Sequence, residues 1–409
     1  MRDRRNLIWL YISMVILAAA VLALLTWQNY RFTQNNSGGY DFLIQWMGAR
    51  NFLTTGESPY SDATAEKIQT AAYGRLAREG ESQLRYVYPL YAVGVFLPFA
   101  LFSNFDLARA IFMTVQEVSL VVMLILSLRL TRWRPRIWVL GVFVLFSLFW
   151  FHAVRPVLDG NITVLVALLI VAGLLALKNG GQELAGLLFA FATIKPNVVV
   201  LLMVFAVIWG LTTRHNRFVG WLLGTVFLLS ASSALLLPDW IVQNLREVIL
   251  YPSYSAPGSL GTVLSKSFPA MGERIGRIIY GVMTGMLLAE WWVARKAEFR
   301  GFLWSALFTL TLNQWIGIPS SAQNFIILYP AVTLVFATWE ERWRRAGTVL
   351  TGLSMILLFG GIWWLYLSTV IPGNPPHAWA AGVPGSALIS DPHPLLGPLV
   401  GCASAQRLV

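Results

Sequence analysis

Asp41 is the residue whose setting most suggests chemistry. It stands in Gly38-Gly39-Tyr40-Asp41-Phe42, shortly after a first apolar run, in a chain where Asp, Glu, Lys and Arg make up only 12% of residues. Phe42 to Leu53 carries apolar residues at helical spacing, so it can lie on a bilayer surface and hold the carboxylate at the interface. Such a carboxylate serves either as a general base, taking a proton from an attacking hydroxyl, or as the cap of the helix it precedes. Spacing leaves both readings open.

The cations come next. Lys195, in Thr193-Ile194-Lys195-Pro196-Asn197, interrupts an otherwise apolar stretch. An ionisable group at membrane depth is costly and points to function, here to holding a lipid phosphate, unless it snorkels to the interface. Arg85, in Arg85-Tyr86-Val87-Tyr88-Pro89-Leu90, can fork onto a phosphate or snorkel. Lys266 follows a run of hydroxyls in Ser259-Leu260-Gly261-Thr262-Val263-Leu264-Ser265. Tyr60 and Tyr88 sit in turns of the kind that anchor an aromatic belt. Asn161-Ile162-Thr163 fits a glycosylation sequon, and the amides of Gln323 and Asn324 either bind sugar hydroxyls or form a turn. His152, His215, His377 and His393 are scattered, and Cys402 is the only cysteine. No metal site, disulfide framework or cofactor is therefore expected.

The elements that must position these groups are membrane helices. The 409 residues are 57% hydrophobic and 13% aromatic, with a mean hydropathy of +0.64; soluble domains are about 25% charged. Apolar runs at 7–27, 107–130, 137–153, 158–177, 219–237, 277–294, 301–318, 325–338 and 347–370 have spanning character. Tyr86–Phe102 is short and contains Pro89 and Pro98, while 184–211 is long and broken by Lys195-Pro196. The basic clusters around Arg2, Arg132, Lys178, Arg214, Arg295 and Arg342 fall in short connections, which places them in the cytoplasm. Parity then makes Tyr86–Phe102 interfacial and splits 184–211 into two short segments that meet on the outer side. The expectation is an all-α polytopic membrane protein of about eleven segments, with the N-terminus inside. Within a membrane domain 1–370, the outer face carries loops 28–106, with interfacial helices, and 238–276, followed by a Pro/Gly-rich tail 371–409. The net charge of +11 then reflects orientation rather than nucleic-acid binding.

Four segments taken together resemble the GT-C superfold of polyprenyl-phosphate-sugar-dependent glycosyltransferases, and within it the bacterial α-1,2-mannosyltransferase-like proteins of glycosyltransferase family 87. The first is Asp41-Phe42 through Gly56-Glu57-Ser58-Pro59-Tyr60. The second is Tyr88-Pro89-Leu90 through Leu97-Pro98-Phe99. Gly160-Asn161 resembles the family's Gly-Gln-x-Asn helix start, and Ala185-Gly186 with Lys195-Pro196 its Ala-Gly and Lys-x-x-Pro. Ser259-Leu260 stands where the family has Asn-x-Ser-Leu. The chain departs from the pattern at Leu90, Asn161 and the adjacent Lys-Pro, and no histidine follows Ser320-Ser321.

The resemblance implies an inverting glycosyltransferase of the plasma (inner) membrane, with its site on the extracytoplasmic side. Asp41 would be the base, and Lys195, Arg85 and Lys266 would hold the donor phosphate. Tyr60, Tyr88, Asn161, Asn197, Ser259, Gln323 and Asn324 would line the substrates. The partners would be a polyprenyl-phosphate sugar, a glycolipid or glycan acceptor, and membrane lipids. The competing reading is a transporter or flippase for a lipid-linked sugar, which predicts internal repeats and several midplane charges.

Overall fold

A computed structural model describes residues 2–78, 81–254, 260–318 and 320–370. Ser259, the Lys266 side chain, His377, His393, Cys402 and the tail 371–409 lie outside the described residues.

The helices are α1 (Arg2–Asn35), α2 (Tyr40–Thr55), α3 (Asp62–Tyr73), α4 (Ala92–Ala100), α5 (Phe105–Thr131), α6 (Ile137–Phe149), α7 (Phe151–Asp159), α8 (Thr163–Lys178), α9 (Gln182–Ala192), α10 (Pro196–Thr212), α11 (Asn216–Leu236), α12 (Trp240–Tyr254), α13 (Leu260–Ser267), α14 (Gly272–Ala294), α15 (Phe299–Asn313), α16 (Tyr329–Ile356) and α17 (Ile362–Val370). No strand occurs among the described residues.

Among the described residues, five runs are long and apolar enough to cross a bilayer: Trp9–Asn35, Phe105–Thr131, Ile137–Asp159, Asn216–Leu236 and Ala322–Ser368. The chain is thus an all-α, membrane-integral protein. The last run has 47 residues, which as one straight helix would reach about 70 Å, over twice the hydrocarbon thickness. It does not run straight. Arg344 leaves helical geometry (φ 47°, ψ −113°), and Gly347 lies back against the Trp339 carbonyl, so the chain reverses there. Helices α8, α9 and α10 are shorter, at 16, 11 and 17 residues; α9 packs between α8 and α11. Exposed apolar side chains, such as Val15 at 68% and Val293 at 76%, suit a hydrocarbon solvent.

The helix boundaries differ from the sequence reading in places. The first helix does not stop at residue 27 but continues to Asn35. Its polar end is stabilised by α5: Asn29 donates to Thr114 and Glu117, and Thr33 to the Asp106 carbonyl. The connection after the first helix therefore begins at 36 rather than 28. The stretch 238–276 is mostly helical, holding α12 and α13, and α14 starts at Gly272, five residues before the expected 277. Residues 86–102, read from the sequence as not spanning, contain only the nine-residue α4, with Pro98 inside it, too short to cross.

Candidate functional site

The site is assembled from four distant pieces of chain. The first is the start of α2. Gly39 caps it in the left-handed region (φ 75°), where a side chain is disfavoured, and an added Cβ would fall 2.4 Å from Nε of Arg109. Arg109 is 2% exposed. It donates to the carbonyls of Asn36 and Leu158 at 2.9 and 3.0 Å, tying the end of α1 to the end of α7. Asp41 is then the second residue of α2, not its cap. That position sets a carboxylate among free backbone N–H groups at the positive end of the helix dipole. Phe42, stacked on Phe112 at 4.8 Å, pins this first turn to α5.

The second piece is the turn between α7 and α8. Gly160 ends α7 with φ 67°, and an added Cβ would lie 2.3 Å from Cβ of Phe42. The absence of a side chain lets the turn meet α2. Asn161 Nδ2 consequently donates to Asp41 Oδ2 at 2.7 Å. The third piece is the break between α9 and α10, at 193–195. Lys195 precedes a proline, so its backbone leaves the helical region (φ −128°, ψ 77°), and Pro196 restarts the helix at its first position. The Lys195 ammonium donates to Asn161 Oδ1 at 2.6 Å, Thr163 Oγ1 at 2.7 Å and Asn324 Oδ1 at 2.7 Å. All three of its protons are thereby used, each on a neutral oxygen.

Residues 314–318 and 320–324 form the fourth piece. Asn324 donates to Ser320 at 3.3 Å, and Ser320 to Gln314 at 2.7 Å. Gln323 donates instead to Asp159 Oδ2 at 2.7 Å, the same oxygen that Arg155 Nε approaches at 2.7 Å. Thr163 joins the pieces: its hydroxyl lies 2.5 Å from Asn161 Oδ1 and 3.1 Å from Asn324 Oδ1. The Asp41 charge acts on Lys195, Asp159 and Tyr88. The Tyr88 phenol is pushed well above its ordinary range, by burial first and by Asp41 second.

Of the residues singled out from sequence, Asp41, Asn161, Lys195 and Asn324 thus meet in one hydrogen-bonded chain. Asn161 is 3% exposed with its amide committed on both sides, so its sequon is buried rather than presented. Arg85 stands elsewhere. Its Nε and Nη2 bind Glu247 of α12 at 2.6 and 3.2 Å, and Nη2 also binds Asp62 at 2.5 Å. Asn244 of α12 donates to the Val87 and Tyr88 carbonyls, and Ser58 to Gln243, so this face fastens α12 to residues 58–62 and 85–88. Tyr60 donates to the Tyr88 carbonyl at 2.7 Å. The Asn197 carbonyl accepts from Asn313 at 2.8 Å. Two cavities lie away from the network: about 300 Å³ lined by Met286, Ala289, Glu290, Val293 and Phe308, and about 270 Å³ near Trp209, His215 and Lys296.

Sequence reasoning passed over Thr163, Arg109, Arg155 and Asp159. Arg109 carried a signal, a charge just inside an apolar span. Among the described residues no group of His, Cys, Asp and Glu is arranged to hold a metal ion.

A family model described as glycosyltransferase family 87 matches residues 86–319, more than half of the chain. The match contains Tyr88, Asn161, Asp159 and Lys195, while Asp41 lies before it and Asn324 after it. No curated protein and no solved structure matches the chain.

Proposed function

The chain belongs to glycosyltransferase family 87, and we propose that it moves mannose from a polyprenyl-phosphate donor onto a lipid-linked or glycan acceptor at the outer face of the plasma membrane. The chain crosses about eleven times with its N-terminus inside, which turns the basic connections to the cytoplasm and Asp41 outward. Asp41 takes the proton of the acceptor hydroxyl as that oxygen attacks the anomeric carbon. The bond from this carbon to the phosphate oxygen breaks, and the prenyl phosphate leaves as an anion with inversion at the carbon. A phosphate is stable in that form, so one base suffices.

The observation that carries this reading is the bridge Asp41–Asn161–Lys195. Asn161 donates to the base and leaves the second carboxylate oxygen for an acceptor hydroxyl. Lys195, whose ammonium hydrogen-bonds only neutral oxygens, brings positive charge near the reacting centre and favours negative charge building on the phosphate. Arg85, neutralised by two carboxylates, holds the outer loops together instead. Tyr88 and Asn324 stand at the walls of the same site.

Sealed proteoliposomes given radiolabelled polyprenyl-phosphate mannose and a membrane lipid extract as acceptor test the reading. Label appearing in a new glycolipid or glycan supports it. Intact donor appearing in the opposite leaflet, with no new product, would replace it with the flippase reading.

A further inference from the structure

Asp159 pairs with Arg155 at an otherwise unfavourable place for an anion. It is the last residue of α7, at the negative end of the helix dipole, where an anion is disfavoured. It also lies within electrostatic reach of Asp41, a second unfavourable charge. Yet the surrounding residues are arranged to keep this carboxylate and to aim it. Arg155, one helical turn earlier, lies 2.7 Å from Oδ2, and Gln323 donates to the same Oδ2 at 2.7 Å. The Arg155 guanidinium is itself turned toward Tyr366, whose hydroxyl is 3.4 Å from Nη1. Both partners of Asp159 take Oδ2. No donor among the described residues reaches Oδ1, and the side chain keeps 17% exposure.

We propose that Asp159 is a sugar-recognition residue: Oδ1 accepts hydroxyl groups of the donor sugar, while Arg155 and Gln323 hold Oδ2. The inference rests on the glycosyltransferase reading above and adds a residue to it. Gly160 and Asn161 alone separate Asp159 from the hydrogen bond to Asp41, so the two carboxylates flank one turn. A base that acts on an acceptor hydroxyl lies beside the anomeric carbon. A second carboxylate felt by that base is therefore within a sugar ring's reach. A carboxyl oxygen held in place by its partners, with free lone pairs, accepts one or two hydroxyls and discriminates against a ring that lacks them.

The test uses the full-length protein in membranes that also supply the acceptor, with polyprenyl-phosphate mannose and its four monodeoxy forms as donors. Wild type is expected to lose about ten- to a hundredfold in kcat/KM with at least one monodeoxy donor. In Asp159→Asn that penalty shrinks to within about twofold, because the acceptor it reports is gone. A merely structural role would lower all donors together and leave the ratio unchanged. The proposal is overturned if Asp159→Asn, at wild-type abundance, keeps every wild-type penalty, or if wild type discriminates against no monodeoxy donor. Should Asp159→Asn fail to accumulate, Gln323→Met carries the test: a smaller penalty supports the proposal and an unchanged one overturns it. Failure of wild type to use the parent donor is a separate result, which removes the underlying reading and the proposal with it.

Discussion

Asn161 Nδ2 donates to Asp41 Oδ2 across 2.7 Å, joining residues 120 positions apart. The bond exists because Gly160 lets the end of α7 meet Phe42 of α2, while Gly39 lets the start of α2 lie against Arg109. It leaves the carboxylate oriented and half occupied.

Removing that donor separates orientation from presence. Asn161→Ala leaves the Asp41 carboxylate in place but loses its hydrogen bond and one of three Lys195 acceptors. Transfer is expected to fall about ten- to a hundredfold, the worth of a hydrogen bond to a charged group. Turnover at saturating donor measures it, and unchanged turnover would show that Asp41 needs no such orientation.

Lys195→Met distinguishes charge from scaffolding. Asn161 Oδ1 and Asn324 Oδ1 both keep Thr163 as a neighbour, so stability should change by no more than about 1–2 kcal/mol. Activity should fall about a hundredfold or more through loss of charge stabilisation. Thermal unfolding in detergent beside turnover reads both quantities. A large fall in melting temperature with normal specific activity would reverse the assignment.

Gly160→Ala tests the approach of the turn to α2. The positive φ alone costs about 1–2 kcal/mol, and the added Cβ would meet Phe42 at 2.3 Å. Lower thermal stability and reduced transfer are expected together, with Gly220→Ala, where an added Cβ meets nothing within 4 Å, as the control.

These contacts mark what was legible in the sequence. Asp41 and Lys195 stood out because charges are scarce in an apolar chain, and the proline after Lys195 announced the helix break. Asp159 and Arg155 were less visible, since their spacing is that of an ordinary ion pair along a helix. The link from Arg85 to Glu247 spans 162 positions, and no local pattern announces it, so Arg85 read as a free cation. The end of α1 was misjudged for a related reason. Asn29 and Thr33 look like loop residues until α5 supplies their partners.

The fastening of α12 to residues 58–62 and 85–88 should weaken in acid. The Arg85 guanidinium beside Asp62 holds its carboxyl below the usual carboxylate range. A carboxyl with a depressed folded pKa contributes stability that is fully present above its unfolded value, near 3.8, and is lost as pH falls through the folded value. Hydrogen exchange of residues 240–254 should therefore quicken below about pH 4. Asp62→Asn should remove this part of the pH dependence, leaving the Arg85–Glu247 pair.

The most direct measurement is the turnover of Asp41→Asn, at wild-type abundance, with polyprenyl-phosphate mannose. The asparagine keeps the shape of the carboxylate and loses its basicity. Turnover is predicted to fall about a hundred- to ten-thousandfold, with donor binding retained. Transfer at the wild-type rate would contradict the account, because the proton of the acceptor would then be going elsewhere.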